Sequence, residues 1–229
     1  MPKMNNLTVD LSLEAVLQAQ EMDPELVRKR SPGLVEDTAS VLKEGKRFFQ
    51  PRVYYESYGV EKVFHDRLLL AGGKELRGAF LVSHLASAEE IVVLLCTIGE
   101  NLEDKVSELF AEDPVRAFML DALGSAAVER LSSNAVRLFE KLAEGKNWGV
   151  SVPLSPGMES WLLEEGQPQI FDLISGKEVG VSLTESFTMR PAKSLSLLLG
   201  MGPQVETLGT ICDYCAVRST CRHRSKGKH

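Results

Sequence analysis

Three of the chain's four cysteines, Cys212, Cys215 and Cys221, fall within ten residues near its end, with His223 just behind. Cys-x-x-Cys puts two sulfurs on one small loop, a bite suited to one metal ion or one edge of a cluster. Thiolates select zinc or iron–sulfur over hard cations. Zinc would take Cys212, Cys215, Cys221 and His223 as a closed tetrahedral site. A four-iron cluster would take the three cysteines, with the remaining iron held by His223, a partner residue or a small ligand. The spacing leaves both open, beside a redox thiol pair and a tail without metal. Arg218, Arg222 and Arg224 would offset the thiolate charge of either centre. A tail this short buries no core, so a metal would have to order it. Its basic end (Arg222, Arg224, Lys226, Lys228) reads as a solvated patch.

The rest of the chain must position such a centre. Its 229 residues are 44% hydrophobic and 25% charged, ordinary for a soluble globular protein with one sizeable core or two small ones. A formal net charge of −6 argues against nucleic acid, whose phosphates need a basic field. The longest apolar run, Ile91 to Gly99, is too short for a membrane helix. The N-terminus lacks a charged head followed by an apolar stretch, so no secretion signal is expected. Cys96 sits alone inside the apolar run, where a core thiol is expected. Such cysteine usage does not resemble a disulfide framework and suggests a reducing cytoplasm. Three segments are expected: an N-terminal helical segment over 1–50, a main domain over 51–208, and the cysteine-rich tail over 209–229.

Residues 10–48 read as helical, with Ser31-Pro32 as N-cap and first position of a helix that Pro51 stops. Residues 52–60 alternate aromatic and polar side chains, as a half-buried strand does. A short strand is expected at "DRLLLAGG" and a helix over "KELRGAFLVSHLAS". "EIVVLLCTIG" predicts a strand covered on both faces. Gly99 releases an amphipathic helix with acids in its first turn. A long helix follows from about Pro114 to Leu142. Its small residues Ala122, Gly124, Ser125, Ala126 and Ala127 allow close approach of another backbone or a flat ligand, packing being the simpler reading. A strand into a Ser-Pro-Gly turn, a short helix at "QPQIFDLI", and a strand, an irregular turn and a second strand or short helix complete the chain. Without regular βαβ alternation, the fold class is α+β: a mainly antiparallel twisted sheet flanked by helices.

Leu183, Thr184, Glu185, Ser186, Phe187, Met189, Pro191, Ser194 and Ser196 occur in one order and spacing within "GVSLTESFTMRPAKSLSLLLGMG". This stretch resembles the activation domain of cobalamin-dependent methionine synthase, which carries Leu-Thr-Glu-Ser-Phe-x-Met-x-Pro followed by Ser-x-Ser. "SPGM" (Ser155, Pro156, Gly157, Met158) is similar to that family's Pro-Gly-Tyr turn, and "DALGSAAVERL" to the long helix before it. "LLCTIGENLEDKV" looks like its stand-alone members. The resemblance spans roughly residues 50–200.

The resemblance implies a domain that binds S-adenosylmethionine beside a corrin ring held by a partner. There, an electron from a reductase and the methyl group of S-adenosylmethionine restore methylcobalamin from the inactive Co(II) state. Cofactor contacts would fall on Ser155, Pro156, Gly157, Met158, Thr184, Glu185, Ser186 and Met189. Glu185 could equally satisfy backbone N–H groups of its irregular turn. This chain departs from the family in having Pro153 in place of an Arg, Met158 in place of a Tyr and Ser125 in place of a Glu. Losing an arginine fork to a carboxylate costs on the order of 2–4 kcal/mol, roughly 30- to 1000-fold in affinity.

Three functions are compatible with this reading. The first is an accessory protein or subunit of corrinoid-dependent methyl transfer, docking on a cobalamin protein, methyltransferase subunit or reductase and supporting reductive reactivation. The second is an interaction or scaffold module with a degenerate S-adenosylmethionine site and a structural zinc tail. The third is an S-adenosylmethionine-binding activase with rearranged contacts. There is no Asp-x-His-x-x-Gly segment of the kind that supplies a lower cobalt ligand, so the corrin is expected on a partner. Neither nucleic acid nor membrane is expected as a partner.

Overall fold

Ile91, Val92, Val93, Leu94 and Leu95 leave no polar side chain to turn toward water, and the strand they build is covered on both sides. In the computed structural model, which describes residues 7–20, 22–158, 160–207 and 209–214, every side chain from Ile91 to Cys96 is fully buried. In chain order the helices are α1 (Leu13–Ala19), α2 (Pro24–Arg30), α3 (Pro32–Gly45), α4 (Ala79–Leu85), α5 (Asn101–Phe110), α6 (Pro114–Glu144) and α7 (Leu163–Leu173). The strands are β1 (Arg52–Val63), β2 (Arg67–Leu70), β3 (Lys74–Arg77), β4 (Glu90–Thr97), β5 (Gly149–Val150), β6 (Ser182–Leu183), β7 (Met189–Arg190) and β8 (Ser194–Gly202). Six of them form one antiparallel sheet in the order β3-β2-β1-β4-β8-β5. The expected α+β class with a mainly antiparallel sheet is what the chain adopts.

β4 lies near the middle of this sheet, and successive side chains of a strand point to opposite faces. Val92, Leu94 and Cys96 therefore enter one core, while Ile91, Val93 and Leu95 enter another. The first core is roofed by α6, whose 31 residues span about 46 Å at 1.5 Å per residue. Asp113 caps α6 by accepting from Arg116 N–H at 3.0 Å, and Pro114 takes the first helical position, where no N–H is needed. Leu11, Val16 and Val41 bring the N-terminal helices into the same core. The helical stretch expected over 10–48 is divided into α1, α2 and α3, and although Ser31 and Pro32 open α3 as expected, the Ser31 hydroxyl makes no capping bond.

The small residues of α6 serve packing. A Cβ on Gly124 would stand 2.4 Å from a methyl of Leu102 on α5 and 3.1 Å from the Lys193 side chain.

The second core lies beneath α4, α7 and the irregular chain from Leu154 to Val181. The helix expected over residues 74–87 is a correction: Lys74–Arg77 is strand β3, and only Ala79–Leu85 is helical. Gly78 separates them with φ at 139°, a backbone conformation that side-chain-bearing residues rarely adopt. Leu76 then faces Leu68 across the β2–β3 pair, which buries it. The sheet's outer strands are tied down by neighbours. Arg77 N–H donates to the Gln169 Oε1 of α7 at 2.7 Å, and the Thr207 hydroxyl donates to the Val150 carbonyl of β5 at 2.8 Å. Among the described residues, no helix is long and apolar enough to cross a membrane.

Burial pushes the Cys96 thiol up to about 12, so it stays protonated and inert at neutral pH. In a variant with the other three cysteines changed to serine, an aromatic disulfide reagent should leave Cys96 untouched at pH 8 and modify it once denaturant is added. Rapid labelling of the native chain would contradict the two-sided burial of β4.

Candidate functional site

The turn at residues 155–158 is built by short backbone bonds on top of the second core. Leu154 bridges to Leu198 of β8, so the turn leaves directly from the sheet. Gly157 N–H donates to the Trp161 carbonyl at 2.8 Å, and Trp161 N–H donates to the Met158 carbonyl at 3.0 Å. Pro156 is pressed onto α7 so closely that a Cβ on Gly166 would meet it at 2.7 Å. Ser155 and Pro156 are half-buried and Gly157 is exposed. Met158 points inward, 8% exposed, beside Trp161 at 2%. The indole N–H of Trp161 is buried and has no hydrogen-bond partner among the described residues.

The Leu-Thr-Glu-Ser-Phe segment forms a small hairpin between β6 and β7. Its turn is knotted by hydroxyls. Thr184 Oγ1 lies 2.7 Å from Thr188 Oγ1 and 3.0 Å from Ser186 Oγ, and it accepts from Thr188 N–H at 3.2 Å. Phe187 adopts a left-handed φ of 59°, held by its N–H donating to the Thr184 carbonyl at 3.0 Å. The backbone-satisfying role considered for Glu185 thus belongs to Thr184. Glu185 itself is exposed, with no hydrogen bond or ion pair among the described residues. Met189 packs against the second core, the one that holds Met158 and Trp161. The turn and the hairpin therefore lie on the same side of the sheet.

The Ser-x-Ser pair that follows is internal. The Ser194 hydroxyl donates to Thr97 Oγ1 at 2.9 Å, and the Ser196 hydroxyl donates to Gln167 Oε1 of α7 at 3.1 Å. All four of these side chains are buried. Lys193, which the sequence reading passed over, is a cross-brace. Its ammonium reaches Asp121 at 2.9 Å and Ser125 Oγ at 3.0 Å, while its backbone N–H donates to Glu103 at 2.9 Å.

Two phenols near this side of the sheet are shifted. Tyr54 is pushed up to about 12, first by its hydrogen bond to the Glu56 carboxylate and then by burial. Tyr58, which donates to the Leu173 carbonyl, is raised by burial. Both remain protonated donors at neutral pH, suited to holding structure and not to proton transfer.

A sheet with α6 and the N-terminal helices on one face, and α4, α7, a turn and a knotted hairpin on the other, is an architecture that solved structures can be compared with. The fold is similar to that of the MetH reactivation domain. The solved structure is the crystal structure of that domain bound to AdoHcy. It superposes with a TM-score of 0.64 at 15% sequence identity, covering 88% of this chain and 79% of that chain. At that identity the likeness concerns the fold. No family model matches the sequence, and no curated protein matches it.

The three positions where the sequence departs from the methionine synthase family can now be placed. Pro153 carries no charge, Met158 is inside the core, and the hydroxyl of Ser125 is engaged by Lys193. None of these three side chains carries a charge that could meet the carboxylate or the ammonium of a methionyl group.

Of the expected metal set, the backbone of Cys212 falls in a short 3-10 turn, Ile211–Tyr214. The Cys212 side chain, Cys215, Cys221 and His223 lie outside the described residues. Among the described residues, no group of three or more His, Cys, Asp or Glu side chains is placed to hold a metal.

Proposed function

We propose that this chain is an accessory protein or subunit of corrinoid-dependent methyl transfer, built from the domain over 51–208 and the cysteine tail over 209–229. It docks on a cobalamin-binding protein, sets the Ser155–Met158 turn and the Thr184–Pro191 segment over the corrin, and supports reductive reactivation of the cobalt. The observation that carries this reading is the fold likeness across 88% of the chain, combined with the turn and hairpin standing on one side of the sheet. The docking surface is preformed: backbone bonds fix the turn, and Thr184 fixes the hairpin. Gly157, Glu185 and Ser186 are the members of the expected set free to meet a partner.

Three thiolates and an imidazole form a donor set that fits zinc or iron–sulfur. An iron–sulfur cluster there would supply single electrons next to a docked corrin, whereas zinc would only fix the tail. The methyl donor is not assigned to this chain, because at the three family positions no charged side chain stands to meet its carboxylate or its ammonium.

Two measurements test the proposal. After anaerobic purification, iron and sulfide at about four each per chain and a broad visible absorbance that bleaches on reduction are expected. Added to the Co(II) cobalamin-binding domain of a methionine synthase, the chain should alter the corrin's visible spectrum saturably. One zinc per chain, no colour and no change in the corrin spectrum would favour the scaffold module. Calorimetric titration with S-adenosylmethionine should give no saturable heat below millimolar ligand. Micromolar binding would instead identify an activase with rearranged contacts.

A further inference from the structure

Two phenylalanines and a valine face water where α5 turns into α6. Phe110, at the end of α5, is 63% exposed, Val115 66% and Phe118 57%. Val115 and Phe118 are three apart on α6 and so share a face of that helix. Ala111 and Pro114, between Phe110 and Val115 in the chain, are exposed as well. Among the described residues, three of the eight large apolar side chains that face solvent fall within residues 110–118, so they are gathered and not scattered. With roughly 150–250 Å² on an aromatic side chain, the three leave on the order of 300 Å² of apolar surface to water, a size at which such surface on a monomer is often functional.

The corner that presents them is fixed. Asp113 N–H donates to the Leu109 carbonyl at 2.8 Å, and its carboxylate accepts from Arg116 N–H at 3.0 Å, so the turn is tied to both helices. The Arg116 guanidinium in turn pairs with Glu44 of α3. The surroundings are acidic. Residues 100–121 hold seven acids and two bases, a net of −5, against −6 for the whole chain. Some of these acids are engaged internally, Glu103 by Lys193 N–H and Asp121 by the Lys193 ammonium. Asp104 and Glu112 are exposed, and their carboxylates have no hydrogen bond or ion pair among the described residues. Such a field repels phosphates, so neither nucleic acid nor an anionic lipid surface fits the apolar patch. A second copy offering the same corner would meet like charge.

We infer that the α5–α6 corner is a docking surface for a partner protein, and that the partner presents an amphipathic segment rich in lysine and arginine whose apolar side chains cover Phe110, Val115 and Phe118. The helices of the corner rest on the first core through Leu102, Leu109 and Leu120, whereas the turn and hairpin rest on the second. The docking surface therefore lies on the other side of the sheet from Gly157, Glu185 and Ser186, and one protein held there leaves those residues open to another. The inference stands independently of the corrin and of the metal tail.

The probe is a labelled amphipathic leucine–lysine peptide helix of about five turns, with a leucine–glutamate counterpart, titrated into the full chain and read by fluorescence anisotropy. Saturable one-to-one binding of the lysine peptide, no binding of the glutamate peptide, and slowed amide exchange confined to residues 109–119 are expected. The Phe110→Ser/Phe118→Ser variant should bind the lysine peptide on the order of 10-fold or more weakly. Asp104→Asn/Glu112→Gln should weaken it several-fold at low salt and lose most of that difference at high salt. Leu142→Ser, which alters an exposed leucine near the other end of α6, should bind like the parent. All variants are checked for folding by circular dichroism, and if the serine pair fails to fold, the Asp104→Asn/Glu112→Gln pair and the exchange map carry the test. Equal binding by parent and serine variant, or protection elsewhere, overturns the proposal. Binding to phosphatidylserine vesicles that the serine variant abolishes overturns it in favour of a membrane, and a parent dimer in sedimentation velocity that the same variant abolishes overturns it in favour of a second copy. A rise in peptide affinity when Arg222, Arg224, Lys226 and Lys228 are all changed to glutamine overturns it in favour of this chain's own basic end.

Discussion

Replacing Gly149 with alanine should lower the stability of this protein by about 3 kcal/mol, more than most substitutions of one methyl group. An alanine Cβ there would stand 1.8 Å from the carbonyl oxygen of Val205 and 2.9 Å from its carbonyl carbon. Both atoms are backbone, so no rotamer change relieves the collision. Gly149 pairs with Gly202, and the chain then loops back over it: Val205 N–H donates to the Gly202 carbonyl at 3.3 Å, and Thr207 caps Val150. Either β5 leaves the sheet or residues 203–207 lift away. In a chain of this length such a loss corresponds to a melting temperature lower by roughly 6–12 °C. Lifting 203–207 would also disturb the approach to Thr210 and Asp213, so on the metal-tail proposal metal content should fall along with stability. Gly33→Ala is the control of opposite sign. Gly33 is exposed within helix α3 with nothing within 4 Å of a new Cβ, so the substitution should stabilise by about 0.5–1 kcal/mol. A melting temperature for Gly149→Ala within 2 °C of the parent would disprove the close approach.

Leu94→Ala and Leu95→Ala should each cost about 2–5 kcal/mol, yet they should damage different halves of the molecule. Leu94 belongs to the core under α6, and Leu95 to the core under the turn and hairpin. The two tryptophans separate these outcomes. Trp148 packs on the first core, with the Lys146 ammonium 4.5 Å from its ring, and Trp161 is buried in the second. In a Trp148→Phe background, Leu95→Ala should shift Trp161 emission to the red and speed hydrogen exchange around residues 157–161. Leu94→Ala, at equal loss of stability, should shift it less. On the docking proposal, Leu95→Ala should also weaken the corrin spectral response more strongly. Equal shifts in the two variants would mean that the cores are not separate.

What was legible in the sequence follows from which physics is local. Five consecutive apolar residues, most of them β-branched, permit a strand covered on both faces, and β4 is one. The Pro114 start and Gly145 stop bracket α6 because capping chemistry lies within a few residues. The region after Gly73 was misread because Lys74–Arg77 has the composition of a helix. Its strand identity comes from pairing with β2 and from the Gly78 turn, both outside the window a periodicity can sample. α7 runs from Leu163, earlier than expected, with Pro168 inside it. The Thr184 segment was recognisable as a motif, but the hydroxyl knot within it required coordinates. Lys193 gave no signal, because its partners Asp121, Ser125 and Glu103 are 68 or more residues away. His84 gave no signal for the same reason: Tyr214, whose ring meets it edge-on, is distant in the chain.

The two ends of the sheet set how this protein can meet anything else. A strand with open N–H and C=O groups at the margin of a sheet invites another chain to add itself there, in recognition or in aggregation. Here one margin is a four-residue strand whose Arg77 amide is taken by Gln169, and the other is a two-residue strand whose Val150 carbonyl is taken by Thr207. Both rows are short and partly spent. Association by strand addition is therefore disfavoured, and a partner must read side chains and turns. Selectivity among partners then rests on shape and charge at the loops, leaving the loops free to diverge while the sheet keeps its register.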